Sequence, residues 1–77
     1  VNVMNFAFDS MNVTIGVGGT VTWNFIQGTH TTTSTGAELW DSGPRNSGTF
    51  SHTFNVSGTF TYKCDMHSSM TGTVTVK

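Results

Sequence analysis

Three side chains that can bind a soft metal ion lie within seven residues near the end of the sequence. Cys64, His67 and Met70 supply a thiolate, an imidazole and a thioether in the pattern C-x₂-H-x₂-M. One histidine from elsewhere in the chain would complete the ligand set of a blue-copper site, in which a thiolate and two imidazoles bind strongly and a thioether binds weakly at a distance. The pattern therefore predicts a copper centre suited to electron transfer.

Each of these residues has a simpler explanation when it is taken alone. A single cysteine in a small domain is more often an inert buried residue than a ligand, and methionine usually fills a core. A histidine is more often a surface residue. Together, at this spacing, the three favour a metal site. Zinc accepts the same ligand types, but the affinity order of divalent metals favours Cu(II).

The residues around the cysteine indicate how it is positioned. Phe60, Tyr62 and Cys64 alternate along an extended stretch, so their side chains point to one face of a strand, and the two rings make that face the buried one. Cys64 is then the last inward residue of a buried strand. A short polar turn must bring His67 and Met70 back to the same point before a new strand leaves at residues 71–76.

Alternation elsewhere predicts strands throughout the chain and no substantial helix. Short strands separated by turns that contain glycine indicate an all-β, two-sheet sandwich. The polar run Thr31 to Ser34 is expected at a solvated strand edge. The predicted strands are Val1 to Phe8, Asn12 to Val17, Val21 to Ile26, Phe50 to Val56, Thr59 to Cys64 and Thr71 to Val76, with a short one around Ala37 to Trp40.

The composition fits one small domain that spans residues 1–77. A chain of 77 residues buries a modest fraction of its surface, and a single cysteine allows no internal disulfide, so a bound metal would add stability. Charged residues make up 9%, against about 25% in ordinary domains. The net charge of -1 argues against nucleic-acid binding, and no stretch is apolar for long enough to span a membrane.

A longer pattern carries a family resemblance. The pattern Tyr62-x-Cys64-x-x-His67-x-x-Met70-x-Gly72-x-Val74-x-Val76 resembles the copper-binding end of the cupredoxins, in the plastocyanin and amicyanin group. The short gap between the histidine and the methionine is more similar to amicyanin. The resemblance runs from about Val13 to Val76 and includes the segments Gly19 to Asn24, Gly28 to Thr31, Trp40 to Gly43 and Gly48 to Phe54.

The resemblance implies a Greek-key sandwich of about seven or eight short strands with one copper ion per chain. It assigns His30, Cys64 and His67 as the strong ligands and Met70 as the axial ligand. His52 is the competitor for the place of His30. Because His52 alternates with apolar residues along a predicted strand, we expect it to be a buried or half-buried packing residue.

The function implied by the resemblance is that of an electron carrier and not of an enzyme. Two imidazoles, a thiolate and a thioether leave no vacant position for a substrate, whereas a catalytic metal keeps one. In the family, the histidine of the C-terminal loop reaches the surface and passes the electron, which is the role expected of His67, with Met66 beside it in a weakly charged docking patch. We expect transient redox partners whose association depends weakly on salt. We also expect a monomer in the periplasm or outside the cell, whose signal peptide or anchor has been removed.

One position departs from the family pattern. Amicyanin and plastocyanin usually have proline immediately before the loop histidine, but here that residue is Met66, which keeps its backbone N–H. We expect this N–H to donate to the Cys64 sulfur beside a second donor from Thr31. Two such bonds would withdraw electron density from the thiolate and raise the reduction potential.

Other classes of protein remain open from the sequence alone. A copper chaperone or storage protein uses the same ligand types but needs an exposed, exchangeable site. A domain excised from a multicopper oxidase or reductase would need further ligands at an interface. A metal-free sandwich used for adhesion or carbohydrate binding would leave the ligand pattern unexplained.

Overall fold

Eight strands and no helix make up the computed structural model, which describes all 77 residues. One four-stranded sheet contains β1 (Asn2–Met4), β2 (Ala7–Asp9), β4 (Thr20–Phe25) and β6 (Thr49–Thr53), in the order β2-β1-β4-β6. The other contains β3 (Asn12–Ile15), β5 (Thr33–Ser34), β7 (Gly58–Cys64) and β8 (His67–Val76), in the order β3-β8-β7-β5. The predicted all-β, two-sheet sandwich is thus confirmed. The chain forms no helix that is long and apolar enough to cross a membrane.

The core lies between the two sheets and is rich in aromatic rings. Strand β4 alternates strictly, with Val21, Trp23 and Phe25 buried and the residues between them exposed. Trp23 stacks on Trp40 at a centroid distance of 5.7 Å and meets the edge of Tyr62 at 5.3 Å. Because Tyr62 lies two residues before Cys64 on the same face of β7, this aromatic cluster packs directly beneath the cysteine.

The hairpin of β7 and β8 changes register between Lys63 and Cys64, next to its turn. Tyr62 pairs with Gly72 and Lys63 with Thr71, but the next pair joins Cys64 to His67. Residues 68–70 therefore bulge out of β8, while 65 and 66 form a two-residue turn. A bulge of this kind bends a strand and redirects side chains. Here it lets one continuous hairpin return His67 to the end of β7, and β8 begins at His67 instead of at the predicted residue 71.

Three predicted elements are wrong in detail. Val1 to Phe8 is not one strand, because Val3 and Phe8 are both buried and one strand cannot turn odd and even residues to the same face; the chain folds back as β1 and β2. No strand forms at residues 37–40. The polar run Thr31 to Ser34 is a solvated strand edge only in its second half: Thr31 and Thr32 are buried, while Thr33 and Ser34 form the half-buried edge strand β5.

Candidate metal centre

Cys64 is held at the inner end of β7. Its side chain is fully buried, and it is the only cysteine of the chain. The alternation that buries Tyr62 on the same strand face also buries Cys64, so its orientation follows from the sheet. The sulfur is therefore fixed by packing, whether or not a metal is bound.

His67 lies opposite Cys64 across the two-residue turn. Its Nδ1 atom is 3.7 Å from the Cys64 sulfur, and its ring is half-buried. Met66, at the tip of the turn, is 51% exposed. His30 and Cys64 are fully buried, so His67 is the member of this group that reaches towards solvent.

His30 enters the site from the other sheet, on the segment that follows β4. It is fully buried, and its Nδ1 atom also lies 3.7 Å from the Cys64 sulfur. Its backbone forms two hydrogen bonds with Arg45, of 3.0 and 2.9 Å. The Arg45 side chain donates in turn to the carbonyl oxygens of Ser42 and Thr49. This arginine, which the sequence did not single out, fixes the backbone that carries the histidine.

The three donor atoms converge in a manner that fits a metal ion. His30, Cys64 and His67 offer ligand atoms that all lie within 4.8 Å of one another. Metal–sulfur and metal–nitrogen bonds of about 2.3 and 2.0 Å that meet at about 110–120° would separate sulfur from nitrogen by about 3.5–3.8 Å. The two sulfur–nitrogen distances of 3.7 Å fall in that range. A soft thiolate with two imidazoles is a donor set that suits copper.

A third contact to His30 comes from the turn between β1 and β2. The Asn5 Oδ1 atom lies 2.9 Å from His30 Nε2, on the side of the ring away from the sulfur. No local sequence pattern indicates this contact, since the two residues are 25 positions apart. Burial lowers the pKa of His30, and the nearby His67 lowers it further, while the Gln27 backbone carbonyl acts in the opposite direction.

Thr31 connects the His30 segment to the Cys64 turn. Its backbone N–H donates to the Cys64 sulfur over 3.4 Å, and its side-chain Oγ1 accepts from the Asp65 N–H over 2.8 Å. The Thr33 hydroxyl extends this network to carboxylate oxygens of Asp41 and Asp65. The residue directly after His30 thus holds the turn that separates Cys64 from His67.

The second predicted donor to the sulfur does not form in the structure. Met66 lies at the hairpin tip, and Thr31 is the one backbone donor to Cys64 Sγ. Because Cys64 pairs directly with His67, the tip amides lie beyond the last strand pair. The increase in reduction potential expected from the Met66 N–H therefore loses its basis.

The structure places the remaining predicted residues as follows. Met70 is buried at the end of the bulge and belongs to the core cluster that includes Cys64. His52 lies outside the cluster on β6, half-buried, where its ring stacks on Trp40 at 5.3 Å and its Nε2 is 2.7 Å from Glu38 Oε2. Of the chain's three histidines, only His30 and His67 meet the cysteine.

Solved structures with the same arrangement of strands show which family this is. A purple cupredoxin from Nitrosopumilus maritimus is 33% identical, with a TM-score of 0.84, over 90% of this chain and 80% of that one. The chain belongs to the cupredoxins. A reduced, Cu(I) form of an amicyanin variant is 26% identical to this cupredoxin, with a TM-score of 0.87, over all of this chain and 79% of that one.

A larger copper protein shares the fold. The copper-containing nitrite reductase from Thermus scotoductus matches 99% of this cupredoxin but only 21% of its own chain, at 21% identity and a TM-score of 0.85. Identity at this level shows the fold alone. No family sequence model matches the chain, and the search of curated proteins found no match.

The surface beside His67 is apolar. The Phe6 ring lies against the His67 ring with a centroid distance of 4.9 Å and is itself 65% exposed. Together with Met66 it gives this end of the cupredoxin two exposed apolar side chains next to a half-buried imidazole. Two charged residues lie nearby: Lys63, in β7, and Asp65, in the adjoining turn, approach each other to 3.7 Å.

Proposed function

We propose that this cupredoxin binds one copper ion through Cys64, His30 and His67 and transfers single electrons between partner proteins. The observation that carries the proposal is the convergence of a fully buried thiol with the Nδ1 atoms of two histidines, each 3.7 Å from the sulfur. A copper ion held there would supply a Cu(I)/Cu(II) couple. Support also comes from the cupredoxin and amicyanin neighbours.

The chain's own residues provide the conditions for such a site. Two of the three donors are fully buried, which excludes water from the sulfur and from His30. The backbone bonds of Arg45 and the β7–β8 pairing hold the donors without help from a ligand. A preformed donor set changes little in shape when its charge changes, which suits electron transfer. We propose Met70 as the weak axial ligand, from its burial at the end of the bulge.

The electron would leave through the end of the molecule at which His67 lies. We propose that Phe6, Met66 and the His67 edge form the docking surface for transient redox partners. Because apolar side chains dominate this surface and the net charge of the chain is only -1, association should depend weakly on salt. We propose that it acts as a monomer in the periplasm or outside the cell, as the resemblance to amicyanin implies.

A role as a domain of a larger copper enzyme is the second candidate. It is favoured by the nitrite reductase, in which a segment of one fifth of the chain has this fold. Mass determination of the protein in its native source separates the two possibilities, since the matching segment makes up only 21% of the nitrite reductase chain and a multidomain enzyme would be several times larger than a single-domain carrier. A copper chaperone is disfavoured by the burial of Cys64.

Addition of one equivalent of Cu(II) to the reduced, metal-free protein tests the proposal. We expect an intense visible band from thiolate-to-copper charge transfer that disappears on reduction, with the matching EPR signal. Cys64→Ser should abolish the band, because a hydroxyl cannot replace the thiolate. His52→Gln is the matched control and should keep it. A free thiol after copper addition, with no band in the wild type, would refute the proposal.

A further inference from the structure

The turn between β1 and β2 reaches both histidines of the metal centre. Asn5 contacts the Nε2 atom of His30 at 2.9 Å, and Phe6 packs on the ring of His67. Neither residue belongs to the segments that carry the ligands. The turn therefore contacts both histidines without carrying a ligand, and the Asn5 contact determines which nitrogen of the His30 ring is protonated.

The hydrogen bond to Asn5 decides which nitrogen of His30 carries the proton. A neutral imidazole has one N–H donor and one acceptor nitrogen, and a carboxamide oxygen can only accept. The contact between Asn5 Oδ1 and His30 Nε2 therefore requires the proton to be on Nε2. Nδ1 then keeps its lone pair, and this atom faces the Cys64 sulfur at 3.7 Å. With the proton on Nδ1 instead, His30 could not bind a metal at this point.

Asn5 is an exposed residue, and a few close contacts with the segment that carries His30 position its carboxamide. The Asn5 backbone N–H donates to Gln27 Oε1 over 3.1 Å. Beneath the carboxamide, Gly28 has a φ of +73°, and a Cβ added there would overlap Asn5 Oδ1 and lie 3.0 Å from His30 Nε2. A glycine at this position is what allows the carboxamide to reach the ring.

We propose that Asn5 is a positioning residue of the metal centre, whose side-chain oxygen holds His30 in the Nε2–H tautomer and so presents Nδ1 to the metal. The inference rests on the proposed copper site and deepens it. Partners of this kind, beyond the ligands themselves, set the tautomer and ring orientation of metal-binding histidines. The competing acceptor is the Gln27 backbone carbonyl, which also raises the pKa of His30.

Three variants test the proposal. Asn5→Ala removes the acceptor, Asn5→Asp keeps an oxygen in the same place, and Asn2→Ala is the matched control, an exposed asparagine of the same hairpin. Nitrogen-15 NMR of the metal-free protein reports the His30 tautomer, and competition with a chelator reports the affinity for Cu(I). We expect Asn5→Ala to lose the Nε2–H tautomer and to weaken Cu(I) binding by about 10–100-fold. Asn5→Asp and Asn2→Ala should keep both.

Two results would overturn the proposal. If Asn5→Ala keeps the tautomer and its Cu(I) affinity changes by less than about twofold, the Gln27 carbonyl is the acceptor that matters. If Asn5→Asp loses the Nε2–H tautomer, the oxygen at this position does not set it, and this variant decides even where the alanine variant folds poorly. The NMR measurement needs no copper, so it separates failure of this inference from failure of the proposed function.

Discussion

The Thr31 hydroxyl offers a sharp test of how the two ligand-bearing segments are joined. Thr31→Val replaces the hydroxyl by a methyl group of similar size and leaves the backbone N–H bond to the Cys64 sulfur unchanged. What it removes is the acceptor for the Asp65 N–H, at 2.8 Å, and the link to the Thr33 hydroxyl, at 3.0 Å. Thr31 is only 2% exposed, whereas Asp65 is an exposed residue whose amide is partly buried at this bond.

The expected loss of stability follows from that burial. A donor left without a partner in a buried place costs about 1–3 kcal/mol, and the part-buried Asp65 amide should lie in the lower half of that range, at about 1–2 kcal/mol. For a domain of this size, each kcal/mol corresponds to about 4–8 °C in Tm, so we expect a decrease of roughly 5–15 °C. The visible band of the copper-loaded protein should keep its energy, because the bond to the sulfur remains.

Urea unfolding of the metal-free protein measures this loss. The matched control is Thr20→Val, which makes the same chemical change at an exposed pair, where Thr20 Oγ1 lies 2.9 Å from Thr53 Oγ1. The control should change the free energy of unfolding by less than about 0.5 kcal/mol. If Thr31→Val is as stable as Thr20→Val, the hydroxyl does not hold the turn and the reasoning is refuted.

Three further outcomes are expected. Gly72→Ala should destabilise the protein by about 1–3 kcal/mol in urea unfolding, because its Cβ would meet the buried Tyr62 ring, 2.8 Å from Cε1; Gly16→Ala, where nothing lies within 4 Å, is the control, and equal effects would contradict the account. Because burial lowers the pKa of His30, this histidine takes up a proton near pH 6.5 in the unfolded chain and only at lower pH in the folded chain. The stability of the metal-free protein should therefore fall as the pH decreases below about 6.5 and level off below the pKa of the folded state. An identical pH profile for His30→Gln would contradict this. When free copper is present at 100 times its Kd, its removal should lower the free energy of unfolding by about 2.7 kcal/mol, which corresponds to roughly 10–20 °C in calorimetric Tm. A Tm that does not change on addition of a chelator would count against the site.

Sequence patterns of short range predicted the fold class and the pairing of Cys64 with His67 because both depend on neighbours in the chain, whereas His30 was assigned only through the family resemblance. The alternation of Phe60, Tyr62 and Cys64 is a property of one strand, and it fixed the face on which the cysteine lies. The same reasoning failed at residues 1–8, where alternation continued across a turn. It also failed at Thr31, since a polar residue can be buried when hydrogen bonds satisfy it, and those bonds come from Asp65 and Cys64, more than 30 positions away.

The contacts that sequence reasoning missed are those that orient the donors. Cys64 and His67 lie on one hairpin, so their spacing carries their geometry. His30 has no such constraint: its backbone depends on Arg45 and its ring on Asn5, and both contacts arise only when the two sheets are packed. A histidine held on both sides of its ring, by Asn5 at Nε2 and by the site at Nδ1, has little freedom to turn. Its place is therefore decided by the sandwich as a whole, and changes in the β1–β2 turn should alter the metal site although that turn carries no ligand.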